Sequence, residues 1–203
     1  RAKFFWSGRM VKRRKKVIIS LIVIILIIGI VFFAFSFSGN KNPKVEMNTT
    51  KGVIIIELYS DKAPETVENF LSYVNSGFYN GLVFHRVIGG FMIQTGGFDE
   101  SGNQKNTNEP IKLESKNGLK NNISYVAMAR TIVPNSATSQ FFINSADNEF
   151  LNYGVRNEGY AVFGKVIEGM EVVKEIENSQ ITTKLGMENW PIENIQIISM
   201  RIL

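Results

Sequence analysis

The pattern of apolar and polar positions divides the chain into two unequal parts. Residues 17–37 are almost all apolar, interrupted only by small or hydroxyl-bearing side chains. At a rise of about 1.5 Å per residue, such a run can cross the roughly 30 Å hydrocarbon core of a bilayer as one helix. We therefore predict a transmembrane signal-anchor helix at 17–37, preceded by a basic cytoplasmic segment at 1–16 and followed by a linker at 38–44.

A cleavable signal peptide is the alternative interpretation of the same run. Secretory apolar segments usually extend over about 7 to 15 residues, so this run is long for one. The sequence Ser36, Phe37, Ser38 nevertheless resembles a small-residue cleavage site, and cleavage there would release the domain as a secreted protein. Because the sequence begins at Arg1, Met10 is an alternative initiator.

After residue 44 the pattern changes to short alternating stretches separated by Gly, Asn and Pro, which is typical of β-strands. Two stretches show helical spacing instead, one with Pro64 in its first turn and Gly77 at its end, the other running from about Gly169 to Asn178. We predict a single domain at 45–203 that is mainly β, a closed eight-stranded antiparallel barrel capped by two α-helices. The predicted strands lie near 45–50, 53–59, 82–87, 91–94, 124–129, 140–144, 161–166 and 192–202.

The charges are distributed as unevenly as the apolar residues. Ten of the 23 Lys and Arg residues precede residue 45 and no Asp or Glu does, so the remaining 13 face 18 acidic residues, a net charge of −5. The basic residues before the apolar run outnumber Lys41 and Lys44 after it, which by the positive-inside rule places the N terminus in the cytoplasm and the domain outside the cell membrane. The acidic balance of the domain argues against binding to nucleic acid.

Two segments, 84–94 and 136–144, carry the candidate chemistry. Strand alternation allows their guanidinium, amide and large apolar side chains to share one surface. The chain has no cysteine and one histidine, which excludes a zinc site and a Cys-His pair. A site of this composition would bind and polarise a ligand. The residues that we expect on this surface are Arg86, Phe91, Met92, Gln94, Gln140 and Phe142.

His85 and the apolar members of this set have simpler interpretations as well. The alternation places His85 on the strand face opposite Arg86, where a hydrogen-bonded structural role is the expected one. Phe91, Met92 and Phe142 are large and apolar, and they could equally be ordinary core residues. Arg86 is harder to explain in this way, because an arginine in an apolar strand needs an ion pair or a ligand.

At the level of motifs, the chain resembles the cyclophilin family of peptidyl-prolyl cis/trans isomerases, most closely its bacterial branch. The two segments above match the family signature, and the resemblance extends over roughly residues 46 to 203. Six blocks in the same order are far more specific than one short motif. The four further blocks lie at 63–70, 126–130, 149–151 and 159–170.

The resemblance implies a catalytic Arg86, which donates toward the prolyl nitrogen, and a groove on the outside of the barrel wall. It also implies that the reaction needs no cofactor and no metal. The substrates would be proline-containing polypeptides, here exported proteins that fold beyond the membrane, and the lipid bilayer would be contacted through 17–37. The implied substrate-binding residues are Phe91, Met92, Gln94, Ala129, Arg130, Gln140, Phe142, Phe150, Leu151 and Tyr160, with Gln140 as an alternative partner that orients Arg86.

Two departures from the family pattern support an alternative function. Thr95 stands where glycine is usual, and a β-branched residue does not easily adopt positive φ. Gly89 stands where proline is common, which makes the turn before Phe91 more flexible. The alternative is a module at the membrane surface that binds proline-containing segments as a chaperone without turnover.

Overall fold

The alternating stretches after residue 44 form one eight-stranded antiparallel sheet in the computed structural model, which describes residues 42–203. A separate two-stranded hairpin lies near the C terminus of the chain. In chain order, the strands are β1 (Lys44–Thr49), β2 (Gly52–Leu58), β3 (Arg86–Ile88), β4 (Met92–Thr95), β5 (Tyr125–Met128), β6 (Phe141–Asn144), β7 (Val162–Glu168), β8 (Ile181–Lys184), β9 (Met187–Pro191) and β10 (Ile197–Ile202).

The sheet is not the closed barrel that the sequence predicted. Its strand order is β10-β1-β2-β7-β5-β6-β4-β3, and no ladder joins the end strands β10 and β3. Just before β3, Leu82 forms an isolated bridge with Asp99, and the next residue, Val83, forms another with Gln196. A continuous ladder therefore cannot form there, although the amide of Phe84 still donates to the carbonyl of Ile195 at 2.9 Å.

Two of the predicted strands differ from the structure in their extent. The stretch predicted at 82–87 is mostly bridged coil, with regular pairing only from Arg86 onward. The stretch predicted at 192–202 pairs with β1 only from Ile197. The hairpin of β8 and β9 was not predicted, and its turn has positive φ at both Leu185 and Gly186, as a two-residue type I′ hairpin turn requires.

Both predicted helices are present, α1 at Pro64–Asn75 and α2 at Met170–Glu177. Pro64 opens α1, where its missing N–H leaves no hydrogen bond unmade, and Gly77 follows the end of α1 in the left-handed conformation. Gly169, also left-handed, caps the start of α2 against the backbone of Val53, where a side chain would not fit.

The sheet separates two apolar clusters of different size. The large core lies on one face and includes the inward side chains of both helices, with Phe70 of α1 packed 5.2 Å from Phe141 and 5.0 Å from Phe163 between ring centroids. The smaller cluster contains the strand neighbours of these residues, Phe142 and Val162. Because adjacent strand residues point to opposite faces, the two clusters lie on opposite sides of the sheet. A site on the small cluster is therefore outside the main core, as predicted.

The predicted segments at 1–16 and 17–37, and most of the linker at 38–44, lie outside the described residues. Among residues 42–203, no helix is long and apolar enough to cross a membrane. These residues form one compact unit.

Candidate active site

A row of directly paired residues crosses four strands of the sheet at the small cluster. Arg86 of β3 pairs with Gln94 of β4, Gln94 pairs with Phe142 of β6, and Phe142 pairs with Ala127 of β5. Residues that are directly opposite in antiparallel strands point to the same face. The register thus brings the predicted catalytic arginine beside the predicted amide and aromatic side chains.

Around this row lies a small pocket with a volume of about 100 Å³. Its floor is nearly inaccessible to water, with Met92 1% and Phe142 4% exposed. Met92 and Phe142 therefore have both of the roles considered for them. They are packed from below like core residues, and their upper side lines the pocket. The pocket is lined by nine of the eleven predicted site residues, Arg86, Phe91, Met92, Gln94, Ala129, Arg130, Phe142, Leu151 and Tyr160.

A larger cavity of about 430 Å³ lies elsewhere, between the C-terminal end of α2 and the segment before β10. Charged and amide side chains such as Lys51, Glu175 and Gln180 supply much of its lining. It has no aromatic floor and none of the predicted residues. The smaller pocket is the better candidate, because specific sites combine an apolar surface with a few convergent polar groups.

Two amides in series orient the Arg86 guanidinium. Its Nη1 donates to Oε1 of Gln94 at 3.3 Å, and Nε2 of Gln94 donates to Oε1 of Gln140 at 2.9 Å. The guanidinium carbon also lies 6.0 Å from the centre of the Phe91 ring. Gln140 thus acts on Arg86 through Gln94, which is close to the orienting role that the sequence left open for it.

Two glycines after β4 make room for Gln140. A Cβ on Gly97 would lie 2.7 Å from Nε2 of Gln140, and a Cβ on Gly96 would lie 2.7 Å from the carbonyl oxygen of Ser139. Gly96 also has a φ of +89°, which favours glycine. The close approach of Gln140 to Gln94 therefore depends on the absence of side chains at these two positions.

Aromatic rings form the rim of the pocket. Phe150 stacks on Phe91 with ring centroids 5.5 Å apart, and Tyr160 packs edge-on against Phe142 at 5.7 Å. Arg130 lies over the Tyr160 ring, with its guanidinium carbon 4.7 Å from the ring centre. Phe150 and Gln140 are the two predicted residues that do not line the pocket itself, and both contact residues that do.

Buried asparagines hold the rim, and the sequence did not reveal them. Nδ2 of Asn148 donates to the carbonyl oxygen of Phe91 at 2.9 Å and to Oδ1 of Asn144 at 2.7 Å. Nδ2 of Asn121 donates to the carbonyl oxygen of Leu151 at 3.2 Å. Each side-chain amide donates a hydrogen bond to a backbone carbonyl that water would otherwise have to supply. Of these asparagines, only Asn144 lies in a segment that the sequence analysis singled out. Its role could not be predicted, because its hydrogen-bond partners are set by the fold.

His85 lies on the opposite side of the strand from Arg86, as predicted. It is 5% exposed, with the Phe98 ring 4.8 Å and the Trp190 ring 6.1 Å away between centroids. Burial lowers the pKa of His85 to about 4, so the ring is neutral at physiological pH. Its Nδ1 has no hydrogen-bond partner among the described residues, and the ring packs against these two aromatic side chains, which agrees with a structural role.

Among residues 42–203, no group of three His, Asp or Glu side chains is arranged to hold a metal ion. Within the same residues, no carboxylate oxygen lies within 4.0 Å of a guanidinium nitrogen of Arg86. The site therefore offers the Arg86 guanidinium, an amide relay that orients it and an apolar floor. This arrangement can bind an apolar ring and donate hydrogen bonds beside it.

Comparison with known proteins agrees with this geometry. The chain matches the family described as cyclophilin type peptidyl-prolyl cis-trans isomerase/CLD over residues 44–202. A peptidyl-prolyl cis-trans isomerase of Acinetobacter baylyi is 55% identical over 79% of this chain and 86% of its own length. Peptidyl-prolyl cis-trans isomerase B of Escherichia coli is 51% identical over 78% of this chain and 98% of its own length.

A solved structure with the same fold was obtained in the presence of a proline-containing dipeptide. The cyclophilin type isomerase of Cryptosporidium parvum, crystallised in the presence of the dipeptide Ala-Pro, has a TM-score of 0.66 and 29% identity. It covers 79% of this chain and 98% of its own. The class defined by fold and site is thus a proline-directed isomerase domain. The chain belongs to the cyclophilin-type peptidyl-prolyl cis-trans isomerase family, which confirms the enzyme class predicted from the sequence.

Proposed function

We propose that this chain accelerates cis/trans isomerisation of X-Pro bonds in exported polypeptides, with Arg86 as its catalytic residue. The observation that carries the proposal is the Arg86 guanidinium, oriented by Gln94 above an apolar floor and engaged by neutral groups only. No covalent step and no proton transfer is required.

The reaction itself explains why such a site is sufficient. Rotation about an amide is resisted by about 18 to 20 kcal/mol because the nitrogen lone pair is delocalised into the carbonyl. Before proline the two isomers differ little in free energy but interchange over tens to hundreds of seconds. A catalyst needs only to stabilise the twisted amide relative to both planar forms.

Arg86 stabilises the twisted form by hydrogen bonding. When the amide twists, the lone pair returns to the prolyl nitrogen, which becomes an acceptor for a guanidinium N–H. That acceptor is weak in the planar amide, so the interaction favours the transition state selectively. The relay through Gln94 and Gln140 holds the guanidinium in place beforehand, which avoids reorganisation during the reaction.

The floor binds the proline ring. Met92, Phe142 and Leu151 form an apolar surface that is already packed from below, so a proline ring can rest on it without moving the protein. Phe91 closes one side and is fixed by its stack with Phe150. The backbone amide of Ala129 already donates to the carbonyl oxygen of Gln140 at 2.9 Å, which ties this part of the rim to β6.

For the location of the protein, we propose a single-pass anchor at 17–37 with the N terminus in the cytoplasm and the isomerase domain outside. The support is the apolar run and the excess of basic residues before it. Cell fractionation together with N-terminal sequencing of the mature chain tests this proposal. A mature N terminus after residue 38 would replace the anchor with a cleaved signal peptide and a secreted domain.

The catalytic proposal is tested by the isomerisation rate of a short proline peptide with the full chain in non-ionic detergent. Arg86→Ala should abolish most of the acceleration, and Arg86→Lys should not restore it, because an ammonium lacks the planar fork of donors. Arg201→Ala is a matched control that removes an exposed arginine of β10, which pairs with Glu46. Full acceleration by Arg86→Ala would overturn the assignment.

The alternative of a binding module without turnover gains no support from Thr95, one of the two residues that suggested it. Thr95 has an ordinary strand φ, and the positive φ occurs one residue later at Gly96. The Thr95 hydroxyl donates to the carbonyl oxygen of Val83 at 2.9 Å. Peptide binding by the parent chain without any rate enhancement would nevertheless establish this alternative.

A further inference from the structure

The charge around the pocket is opposite to the charge of the domain. From residue 45 onward the chain has a net charge of −5. Arg86 and Arg130 nevertheless both line the pocket, and a third arginine, Arg156, lies over the rim ring of Phe150 at 4.9 Å. The residues that line the pocket include no carboxylate.

Neutral groups hold the Arg130 guanidinium in position. Its Nε donates to the carbonyl oxygen of Gly159 at 2.8 Å and its Nη1 to that of Thr131 at 2.9 Å. Its Nη2 donates to Oδ1 of Asn157 at 3.2 Å, and the face of Tyr160 supports it from below. The side chain is therefore fixed while its positive charge is not balanced by an anion.

Arg156 is connected to the pocket through two stacked rings. It is exposed and lies on Phe150, which stacks on Phe91, and Phe91 lines the pocket beside Arg86. A cation on an aromatic face keeps its charge available to solvent and to ligands. The pocket thus has a cation on the Phe91 and Phe150 side and another on the Tyr160 side.

The nearby carboxylates do not neutralise these cations. Glu149 and Glu158 belong to the same rim segments and are exposed, but neither lies within 4.0 Å of a guanidinium nitrogen. Within the described residues, the ion pairs involve other cations, for example Lys174 with Glu177 and Arg201 with Glu46. Three arginines at or beside the groove, none of them in an ion pair with another described residue, favour a positive local potential in an otherwise acidic domain.

We propose that this groove selects proline-containing segments in which a residue next to the X-Pro bond carries a carboxylate. The inference rests on the proposed function and adds a substrate class to it. Arg130 and Arg156 are the specificity-determining residues, and Arg86 keeps its role at the amide. Because the two cations are partly or fully exposed, the preference is modest and depends on ionic strength.

The test compares peptides that differ only in charge. The full chain in non-ionic detergent is assayed with Ala-Xaa-Pro-Phe and Ala-Ala-Pro-Xaa peptides in which Xaa is Glu, Gln or Lys. At low salt, kcat/KM for the Glu peptide should exceed that for the Gln peptide by roughly fivefold in at least one series, and the Lys peptide should have the lowest value. The ratio of the Glu value to the Gln value should approach one at about 1 M salt.

Substitution of Arg130 and Arg156, together and singly, tests whether these arginines cause the preference. Arg130→Gln combined with Arg156→Gln should bring the Glu to Gln ratio close to one, and each single variant shows which peptide series its arginine controls. Arg201→Gln removes the same charge far from the pocket and should leave the ratio unchanged. A ratio that persists in the double variant, or that changes equally in Arg201→Gln, overturns the assignment.

The failures of the two proposals are distinguishable. If the parent chain isomerises Gln, Glu and Lys peptides at equal rates, the charge inference fails while the isomerase function stands. If it accelerates none of them, the proposed function itself fails. Faster turnover of the Lys peptide would also contradict the inference.

Discussion

The carboxylate of Glu177 in α2 accepts a hydrogen bond from the backbone N–H of Gly90, in the turn between β3 and β4, at 2.7 Å. The same oxygen accepts from the hydroxyl of Ser145 at 2.6 Å, and Nζ of Lys174 donates to the other oxygen at 2.7 Å. Burial by itself would raise the pKa of Glu177, but these hydrogen bonds lower it overall, so the group is ionised at neutral pH.

This contact fixes the turn that precedes the pocket. Gly90 is followed directly by Phe91 and Met92, which form the wall and the floor. The greater flexibility that Gly89 implied from the sequence is therefore countered by an anchor from a helix. We infer that α2 contributes to the groove although none of its residues lines the pocket.

Glu177→Ala should loosen the turn and lower both stability and activity. The change leaves the Gly90 amide and the Ser145 hydroxyl without their buried acceptor, which should reduce the free energy of unfolding by about 2 kcal/mol. Denaturant unfolding and kcat/KM for a proline peptide measure the two effects. Lys174→Met is the control, because it removes only the half-exposed partner and should change stability by less than about 1 kcal/mol. Equal losses in both variants would show that the ion pair, and not the turn anchor, is the important contact.

The sequence predicted the pocket better than it predicted its support. Strand alternation was sufficient to place Arg86, Gln94 and Phe142 on one face, because this period is set by the backbone. Glu177 was not predicted, because a helix pattern identifies apolar neighbours such as Ile176 and treats a carboxylate as solvent-facing. Its partners are 32 and 87 residues away along the chain, a separation that no local pattern reports.

The sequence pattern also could not predict whether the sheet closes into a barrel. Apolar alternation identified the strands, but whether the sheet closes depends on how the end strands meet. The bridges of Leu82 and Val83 to two different partners interrupt that closure. The β8 and β9 hairpin was missed because β8 is exposed along most of its length and β9 buries only its last two residues, so neither strand has the alternation of a buried face.

Thr95 should prove to be a structural residue. It is completely buried in β4, and its hydroxyl donates to the carbonyl oxygen of Val83 on the side of the strand opposite Gln94. Thr95→Val keeps the shape and leaves that carbonyl without the donor, so unfolding should become easier by about 1 kcal/mol. The kcat/KM for a proline peptide should stay at the parent value. A large loss of activity without a loss of stability would show that Thr95 acts on the groove.

Gly97→Ala should lower activity with little effect on stability. The new Cβ would lie 2.7 to 2.9 Å from three side-chain atoms of Gln140, which must move away and release Gln94. If the loss of orientation raises the activation free energy by about 1 kcal/mol, kcat/KM falls roughly fivefold. Gly89→Ala is the matched control, since a Cβ there meets nothing within 4 Å and the φ is not left-handed. If both variants retain parent activity, the relay through Gln140 does not orient Arg86.

His85 should make the stability of the domain depend on pH between about 6.5 and 4. Burial lowers its pKa from 6.5 to about 4 in the folded state, so in this interval the unfolded chain binds a proton that the folded chain does not. Stability is therefore complete above pH 6.5 and is lost as the pH falls, by about 3 kcal/mol at pH 4. Glu46, Asp99 and Glu177, whose pKa values are lowered, add their own losses as the pH falls through and below their ordinary carboxylate pKa values.

His85→Phe removes the titration while it keeps an aromatic ring beside Phe98 and Trp190. Chemical denaturation at several pH values should show that the decline between pH 6.5 and 4.5 present in the parent is absent in the variant. His85 is the only histidine of the chain, so the parent also gives a single imidazole NMR signal whose titration can be followed directly. A midpoint near 6.5 in the folded protein would mean that the ring is hydrated, and the predicted pH dependence would then be wrong whether or not the variant folds.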